Sequence, residues 1–536
     1  MEQNNNPNKN VSEEHTGKVS KKYAVVIVIA LACMFLMLFL AILYVGIRWF
    51  SLRPEADGTE YGTEHKDSDR NGYDDVDERV LWELIETQNA LGANLDEDIT
   101  SAQYVWENGR LVEIDWSHEG LTGTVSFEGL DALRSIICDH CEIERIIVSY
   151  NQDLEYLDCN WNKIMSLHLI NNPELRYLDC EQNQLKELDI SANAKLEELN
   201  FSNNMLTKID VSNNMQLIRF CGGYNELTTL EFANHPALQS VNVAGQQVRK
   251  LNIANSPLLE ELDISCVKLI HYDFSVFPKL KILRAYAAGI AEADVSMNPE
   301  LVYLELSASD VQNVDVSQNI KLETLKCGWM ELKELDLSAN VNLKELDCSH
   351  NELTQLNVNH LTKLETLQCG QNLLTSLDVT ELTYLKKLEC GDNQLAELDI
   401  DNHIFLEILD CSANQLQTLD LGGNVMLTRL YCGANQMTEL VLTDNPKLYE
   451  LYCEYNQLSE LDLSCNPELE WLHCEYNEMN NLVFGQNENL YSVDCYGNNF
   501  KLLNFAGCTD VHTVECDMGV PVIGVDESDI KYVEEE

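Results

Sequence analysis

Residues 406–426 read LEILDCSANQLQTLDLGGNVM, and this spacing of leucine, cysteine and asparagine returns every 21 residues along most of the chain. Nineteen copies can be aligned, and nearly all begin with leucine. Their first residues are Leu133, Leu154, Leu175, Leu196, Leu217, Leu238, Leu259, Leu280, Leu301, Leu322, Leu343, Leu364, Leu385, Leu406, Leu427, Leu448, Leu469, Leu490 and Val511. A constant period means that one structural unit is built repeatedly and contacts only its neighbours.

Each copy contains two short segments in which buried and exposed side chains should alternate. Counting the first residue as position 0, apolar residues at positions 3 and 5 flank Asp410 in the copy that begins at Leu406, and those at positions 13 and 15 flank Asp420. Alternation with a period of two is typical of a half-buried strand. We therefore predict a mostly β leucine-rich-repeat solenoid over residues 133–516, with two short parallel strands in each of about 19 coils.

Asparagine recurs at position 8 and cysteine at position 5. A buried turn needs partners for its backbone groups, and one carboxamide can both donate and accept hydrogen bonds, so we predict a structural role for the asparagines. They are Asn162, Asn183, Asn204, Asn225, Asn351, Asn372, Asn393, Asn414, Asn435, Asn456, Asn477 and Asn498. The cysteines should stack inward as reduced, small apolar residues. They are Cys138, Cys159, Cys180, Cys327, Cys348, Cys369, Cys390, Cys411, Cys432, Cys453, Cys474, Cys495 and Cys516.

The N-terminal region contains a candidate membrane anchor. Residues 24–47 (AVVIVIALACMFLMLFLAILYVGI) carry no charge, and 24 residues at ~1.5 Å each span about 36 Å, more than a hydrocarbon core of ~30 Å. No small-x-small cleavage site follows, so we predict a retained transmembrane signal anchor. More lysines precede the segment than follow it, which makes residues 1–23 a cytoplasmic tail and places the repeats outside the cell. Residues 48–66 should form an acidic stalk.

A formal net charge of −54 limits the classes of partner. Repulsion from phosphates argues against nucleic acid, whereas basic proteins, neutral glycans and cations stay open. Solubility of an exported protein is an alternative reason for the acidity. Residues 517–536 are again acidic and should form a C-terminal cap or tail.

Residues 67–78 (DSDRNGYDDVDE) have the oxygen-ligand spacing of a 12-residue calcium loop, with Gly72 at its sixth position. We predict one structural Ca²⁺ here; an acidic linker is the alternative. The expected ligands are Asp67, Asp69, Asn71, the backbone carbonyl of Tyr73, Asp75 and Glu78. An apolar helical stripe follows at Val76, Val80, Leu81, Leu84 and Ile85. We expect residues 67–132 to be a cap made of this calcium loop, a helix and a short irregular coil.

Aromatic residues accumulate at predicted outward positions of the coils over residues 427–510. Because coils stack, residues 21 apart should form columns, and rigid aromatic side chains with polar tips favour binding interfaces. We predict a ligand-binding face formed by Tyr431, Tyr449, Tyr452, Tyr455, Trp471, His473, Tyr476, Tyr491 and Tyr496. Coils 238–342 lose the asparagine marker and, before Cys327, the cysteine marker as well. Repeat drift would explain this, and a bend or a contact patch is the alternative.

The cysteine positions together with the L-D-x-S-x-N half of each copy resemble the 21-residue repeats of bacterial cysteine-ladder internalins. This resemblance covers the repeat region, residues 133–516, and implies a surface protein that recognises proteins or glycans, often in adhesion. Those internalins carry a C-terminal sorting motif, whereas this chain ends DESDIKYVEEE.

Three functions can be compared on this basis. We favour an extracellular, membrane-anchored recognition or adhesion module that binds a protein or glycan through an exposed strand face. A passive envelope scaffold is the alternative, in which the aromatic columns bind nothing. An enzyme is disfavoured, because no Ser/His/Asp set, phosphate loop or zinc-ligand spacing rises above chance.

Overall fold

A computed structural model of the protein describes residues 66–232, 234–253 and 255–534. The predicted tail, the segment 24–47 and nearly all of the stalk lie outside these ranges. Within them, none of the helices combines the length and the apolar character that crossing a bilayer requires.

One long sheet runs through the described residues and contains 22 strands. Each coil contributes a strand, usually positions 2–4, and neighbouring strands are parallel and one repeat apart, as where Leu346 lies opposite Leu367. Position 3 points inward and is buried, which confirms the predicted alternation. The strands are Tyr104–Glu107, Arg110–Asp115, Ser135–Ile137, Tyr156–Asp158, Tyr177–Asp179, Glu198–Asn200, Arg219–Cys221, Ser240–Asn242, Glu261–Asp263, Ile282–Arg284, Tyr303–Glu305, Thr324–Lys326, Glu345–Asp347, Thr366–Gln368, Lys387–Glu389, Ile408–Asp410, Arg429–Tyr431, Glu450–Tyr452, Trp471–His473, Ser492–Asp494, Thr513–Asp517 and Ile530–Val533.

The second strand predicted for every coil forms in only a few of them. Four short parallel pairs are present among the described residues, and elsewhere the prediction is wrong. They are Thr122–Ser126 with Glu142–Ile147, Thr229–Phe232 with Lys250–Ile253, Glu460–Asp462 with Asn481–Val483, and Leu503–Asn504 with Val522–Ile523.

A turn follows this segment immediately. Asp420 Oδ1 accepts a hydrogen bond from Gly422 N at 3.0 Å, and the carbonyl of Ile400 accepts from Asn424 Nδ2 at 3.0 Å. Equivalent bonds are present where the second strand forms, as from Ser464 N to Asp462 Oδ1, so the turn is compatible with either outcome. The predicted burial still holds, since Leu419 is buried and Asp420 exposed.

The asparagines at position 8 connect each coil to the one before it, which confirms their predicted structural role. Asn414 Nδ2 lies 3.1 Å from the carbonyl oxygens of Cys390, one coil earlier, and Cys411 in its own coil. Its Oδ1 accepts a hydrogen bond from Leu395 N, also one coil earlier, at 2.9 Å. One side chain thus satisfies backbone groups of two coils at once.

A second asparagine ladder at position 18 was not predicted. Asn445 Nδ2 donates to the carbonyl of Leu421 at 3.1 Å and to that of Asn424 at 3.0 Å, both in the preceding coil. The same arrangement recurs at Asn172, Asn193, Asn214, Asn298, Asn319, Asn340, Asn424, Asn466 and Asn487. Coils are therefore bonded together at both turns.

The irregular coils lose the first of these ladders. Gln246 still replaces asparagine, since its Oε1 accepts from Leu227 N at 3.0 Å. In the next coils the N–H of position 8 donates within its own coil, as from Ala288 N to the carbonyl of Ala285 at 3.2 Å, whereas in a regular coil Asn393 N donates to the carbonyl of Ala413 in the following coil. These coils are joined by their strands and core but lack the position-8 carboxamide.

All thirteen ladder cysteines are buried as free thiols, as predicted. Burial raises the pKa of the Cys411 thiol well above its ordinary value, so the sulfur stays protonated and packs as an apolar group. Cys266 and Cys465, which are outside the ladder, are exposed.

The N-terminal cap begins with the helix Asp75–Ala90. Asp74 is its N-cap, and its carboxylate accepts from the first backbone N–H groups of the helix. Leu81 and Ile85 are buried as predicted, with Val80 and Leu84 partly buried beside them. Val76 is 45% exposed, so its place in the predicted stripe is wrong.

On the face of this helix that packs against the core, Asp77 is buried where Val76 was expected. Asp77 can be buried because it has a charged partner there. Its carboxylate accepts from Arg110 Nε at 2.8 Å and Nη2 at 3.0 Å. Arg110 starts the second strand of an antiparallel hairpin, Tyr104–Glu107 with Arg110–Asp115, whose second strand continues into the long sheet. The predicted irregular coil is thus a hairpin that covers the first repeat.

The C-terminal residues also form a cap. Ile530–Val533 pairs in parallel with Thr513–Asp517 and ends the long sheet. The single-turn 3₁₀ helix Glu527–Asp529 precedes it.

The Asn393→Ala substitution tests the ladder. Asn393 Nδ2 donates to the carbonyls of Cys369 and Cys390 at 3.1 Å, and its Oδ1 accepts a hydrogen bond from Leu374 N at 3.0 Å. Leaving these buried groups unpaired should lower the free energy of unfolding by about 1–3 kcal/mol. The matched control is Gln394→Ala at the exposed neighbouring position. Equal denaturation midpoints for the two variants would show that the carboxamide is not needed.

Candidate ligand-binding face

The predicted aromatic residues lie on or directly beside four consecutive strands at the C-terminal end of the solenoid. The register places Tyr431 opposite Tyr452, Tyr452 opposite His473, and His473 opposite Asp494. Strand pairing therefore aligns position 4 of successive coils in a column, as the repeat spacing predicts.

This strand column is a continuous ring stack. The ring centroids of Tyr431 and Tyr452 are 5.1 Å apart, and those of Tyr452 and His473 are 4.1 Å apart with planes 17° from parallel. His473 Nδ1 lies 2.9 Å from Asp494 Oδ2. Burial lowers the pKa of His473, but the hydrogen bond and charge of Asp494 outweigh it and raise that pKa overall.

A second column of aromatic side chains lies in the turns that follow these strands. Tyr455 and Tyr476 both have φ of 53°, and their ring centroids are 4.5 Å apart and nearly parallel. Tyr496 packs edge-on against Tyr476 at 5.2 Å. Tyr455 and Tyr476 are exposed, so this turn column presents aromatic surface to solvent.

The other predicted residues lie at the start of the strands. Trp471 and Tyr491 have centroids 5.3 Å apart and line a shallow cleft of about 210 Å³ with Glu470, Asn489 and Asp510. Tyr449 is separate from them, because its hydroxyl accepts a hydrogen bond from Arg429 Nη2 at 2.8 Å. Eight of the nine predicted residues thus form three ring groups, and Tyr449 is engaged by Arg429.

Glu454 and Glu475 occupy position 6, between the strand column and the turn column. The Oε2 atom of each is buried, and neither of these atoms has a hydrogen-bond partner among the described residues. Burial, reinforced by the charge of Glu454, raises the pKa of Glu475 to about 7. Burial also raises the pKa of Glu454. A backbone N–H and the charge of His473 favour the charged form of both groups, but they offset only part of the cost of burying it.

This combination suits a cation. An ammonium or guanidinium group placed here would pair with a carboxylate and lie against aromatic faces, which attract positive charge. A hydroxyl-rich sugar could also stack on the exposed tyrosines. The face is formed by side chains on a hydrogen-bonded sheet, so binding should order few additional bonds.

The predicted calcium ligands are partly assembled. Asp67, Asp69 and Asp75 present carboxylate oxygens that all lie within 4.8 Å of one another. Backbone groups hold the first of them, because Gly72 N donates to Asp67 Oδ2 at 2.9 Å. Three hard oxygen ligands at this separation fit a calcium ion.

Asn71 and Glu78 complete the set with one difference from the expected arrangement. Asn71 Nδ2 points at the carboxylates, at 3.0 Å from Glu78 Oε2 and 3.2 Å from Asp69 Oδ2, while its Oδ1 accepts from Tyr73 N. A flip of this amide, which exchanges its nitrogen and oxygen, would bring an oxygen ligand to the same place.

A cluster of His118, Asp139 and His140 was missed by the sequence analysis. The two histidines have the same left-handed turn conformation in neighbouring coils, with φ of 60° and 50°. Their separation in sequence exceeds the repeat period by one residue, so an alignment by strict period places them in different columns. Aligning by turn position instead of by period would have found them.

Comparison with known proteins supports the fold. A family model described as Leucine Rich Repeat matches residues 342–364. No sequence among the curated proteins matches the chain. Among solved structures, the chain is similar to the functional domain of InlJ from Listeria monocytogenes, which includes a cysteine ladder, at 29% identity over 72% of this chain and 73% of that chain, with a TM-score of 0.41.

Two further solved structures are similar over more of the chain. YopM from Yersinia enterocolitica WA-314 is 21% identical over 86% of this chain and 96% of its own, with a TM-score of 0.58. The ectodomain of the Arabidopsis thaliana receptor kinase GASSHO1/SCHENGEN3 is 17% identical over 81% of this chain and 67% of its own, with a TM-score of 0.63. The predicted leucine-rich-repeat solenoid is confirmed, and this fold is typical of protein-binding recognition modules.

Glu475→Gln should change the pH dependence of stability. The pKa of Glu475 is about 7 in the fold and about 4.3 in the unfolded chain. At pH values between these two, the folded state holds a proton that the unfolded state has lost. Stability from this group therefore falls as pH rises from about 4.3 to 7. Thermal melts should show the variant above wild type at pH 8, with the difference vanishing near pH 4.

Glu478→Gln is the matched control, because Glu478 is exposed three residues along the same coil. It should follow the wild-type profile throughout. A wild-type protein more stable than Glu475→Gln at pH 8 would contradict the assigned burial of an unpaired carboxyl group.

Proposed function

We propose that this chain is a membrane-anchored, extracellular recognition module that binds a protein or glycan through coils 427–510. The observation that carries the proposal is the pair of aromatic columns flanking Glu454 and Glu475, whose buried oxygens have no partner among the described residues. A scaffold needs neither feature, because exposed acidic residues alone would keep it soluble.

A polypeptide with accessible lysine or arginine side chains is the ligand that this face fits best. The carboxylates would pair with the positive charge, while Tyr452 and Tyr455 would supply π surfaces on either side. The chain's negative charge of −54 would draw such a partner in and speed its association. Hydroxyl-rich glycans fit the tyrosines but leave the carboxylates uncompensated.

A solved structure of a similar fold contains a bound partner. The similar GASSHO1/SCHENGEN3 ectodomain is in complex with CASPARIAN STRIP INTEGRITY FACTOR 2. That likeness concerns the fold alone, so the ligand class here rests on the residues of this face. A non-enzymatic role is part of the proposal.

The extracellular location rests on the uncharged segment 24–47 and on the lysines before it. A single-pass anchor with the N-terminus in the cytoplasm would place the repeats outside the cell. An adhesion role would follow if the partner belongs to another cell or to the surrounding matrix.

We further propose that residues 67–78 bind one structural Ca²⁺. The convergence of Asp67, Asp69 and Asp75 supports this. The loop lies against the cap, where Tyr73 packs on Trp106 with ring centroids 4.6 Å apart. Calcium would therefore stabilise the docking of the helix that follows.

The binding face can be tested with peptide arrays graded by lysine and arginine content, alongside a glycan array. Basic peptides should bind best, and Trp471→Ala and Tyr452→Ala should each weaken binding of the best peptide by roughly 2 kcal/mol if they are hot spots. Tyr384→Ala is the matched control, because Tyr384 is 59% exposed but outside the face.

Two outcomes would contradict the proposal. Equal affinity of all three variants would place the site elsewhere, and the absence of any ligand would favour a scaffold. The same labelled peptide should stain intact cells that express the full chain. Staining only after permeabilisation would rule out the extracellular location.

Calcium binding predicts a single calorimetric site that Glu78→Gln weakens strongly, since Glu78 would supply two oxygens. Ca²⁺ should also raise the melting temperature. Glu83→Gln, at an exposed position on the following helix, should bind like wild type. Absence of both heat and melting shift at millimolar Ca²⁺ would make the loop a linker.

A further inference from the structure

A second cluster of ligating side chains lies at the opposite end of the solenoid from the aromatic face. His140 Nδ1 is 2.7 Å from Asp139 Oδ2, and His118 Nε2 is 3.7 Å from the same oxygen. The potential ligand atoms of the three residues all lie within 4.8 Å of one another. The side chains are 65% (His118), 13% (Asp139) and 31% (His140) exposed, so an ion could enter from solvent.

The fold holds these residues in place through the backbone. Glu113 pairs with Ser135 in adjacent strands, an offset one residue longer than the repeat period, and His118 and His140 keep that offset at the following turn. His118 N donates to the carbonyl of Asp139 at 3.0 Å. The two histidines are therefore equivalent positions of consecutive turns, held by inter-coil hydrogen bonds.

The two imidazole rings stack on each other and on a tryptophan. His118 and His140 have centroids 4.2 Å apart and planes 21° from parallel. Trp161 stacks on the far side of His140 at 5.3 Å and 6°. Because a metal ion lies in the plane of each imidazole that binds it, ligation would turn at least one of the two histidine rings out of this stack.

We propose that His118, Asp139 and His140 bind a divalent transition metal ion of the zinc class. Two imidazoles and one carboxylate are a ligand set that suits Zn²⁺, with positions left open for water or a partner's ligand. Ligand atoms around tetrahedral zinc lie about 3.3 Å apart, given bonds near 2.0–2.1 Å. The separations of 2.7 and 3.7 Å between the histidine nitrogens and Asp139 Oδ2 lie on either side of that value, and rotation of the stacked rings would bring both nitrogens to face one ion.

This site is independent of the calcium loop and of the aromatic face. Calcium prefers oxygen ligands, whereas neutral imidazole favours zinc and its neighbours among the transition metals. No zinc-ligand spacing is apparent in the sequence at these residues. The ligands come from two consecutive coils, so their spacing follows the repeat and not a local motif.

The chain itself supplies conservative substitutions for a test. Gln182 occupies the same left-handed turn position as His140, with φ of 52°, and Asn160 occupies the position of Asp139 one coil later. His118→Gln, His140→Gln and Asp139→Asn should therefore fold. The matched control is His350→Gln, because His350 stacks on Trp329 at the same kind of turn but follows a serine instead of an aspartate.

The experiment is calorimetric titration of the full-length protein with ZnCl₂ in saturating Ca²⁺, repeated with CoCl₂ while its visible absorption is recorded. Wild type and His350→Gln should bind one zinc ion, and Co²⁺ should develop ligand-field bands at this site. Each of the three ligand variants should weaken zinc binding at least ten-fold and lose the Co²⁺ bands. In EDTA, each ligand variant should melt at the same temperature as wild type, which separates ligation from folding.

Absence of zinc binding by wild type at micromolar concentration would overturn the proposal. So would ligand variants that bind zinc and develop Co²⁺ bands like wild type. If a variant melts early, the Co²⁺ spectrum below its melting temperature still decides, because retained bands would mean that the ion lies elsewhere.

Discussion

The carboxamide that joins one coil to the next is the interaction on which the rest of this structure depends. At each regular turn, one buried asparagine donates to carbonyls of two coils and accepts an N–H from the earlier coil, as Asn414 does. Buried backbone groups of a turn need hydrogen-bond partners, and in the regular coils this carboxamide supplies them. They hold the repeat register along the solenoid.

The register in turn makes functional surfaces possible. Residues that are distant in sequence become neighbours in columns, and a column of tyrosines becomes a stacked aromatic strip. The same geometry places Glu454 and Glu475 between two such strips, where partial burial makes their negative charge costly. At the other end, it brings two histidines of consecutive turns to one aspartate. Both surfaces are properties of stacked coils and do not exist in a single repeat.

The period was sufficient to predict the coils, the inward thiols and the aromatic columns, because each depends only on which residues are one repeat apart. The second strands could not be predicted in the same way, since alternation such as that around Asp420 is compatible with a strand or with a short extended segment ending in a turn. The hairpin of the cap was missed although its turn, Asn108-Gly109 with both residues at positive φ, is a local hairpin signal in the sequence. The pairing of Asp77 with Arg110, which are distant in sequence, could not be predicted in that way. Tyr449 was assigned to the face because the sequence does not show that Arg429 lies beside it and bonds its hydroxyl.

Hydrogen exchange of the whole chain, resolved by mass spectrometry, tests the role of the carboxamide ladder most directly. Coils 259–321 lack the position-8 carboxamide, whereas coils 385–447 have it throughout. If the ladder couples the coils, turn amides in 259–321 should exchange faster than the equivalent amides in 385–447. Equal or slower exchange in the coils without asparagine would show that core packing and strand pairing hold the register without it.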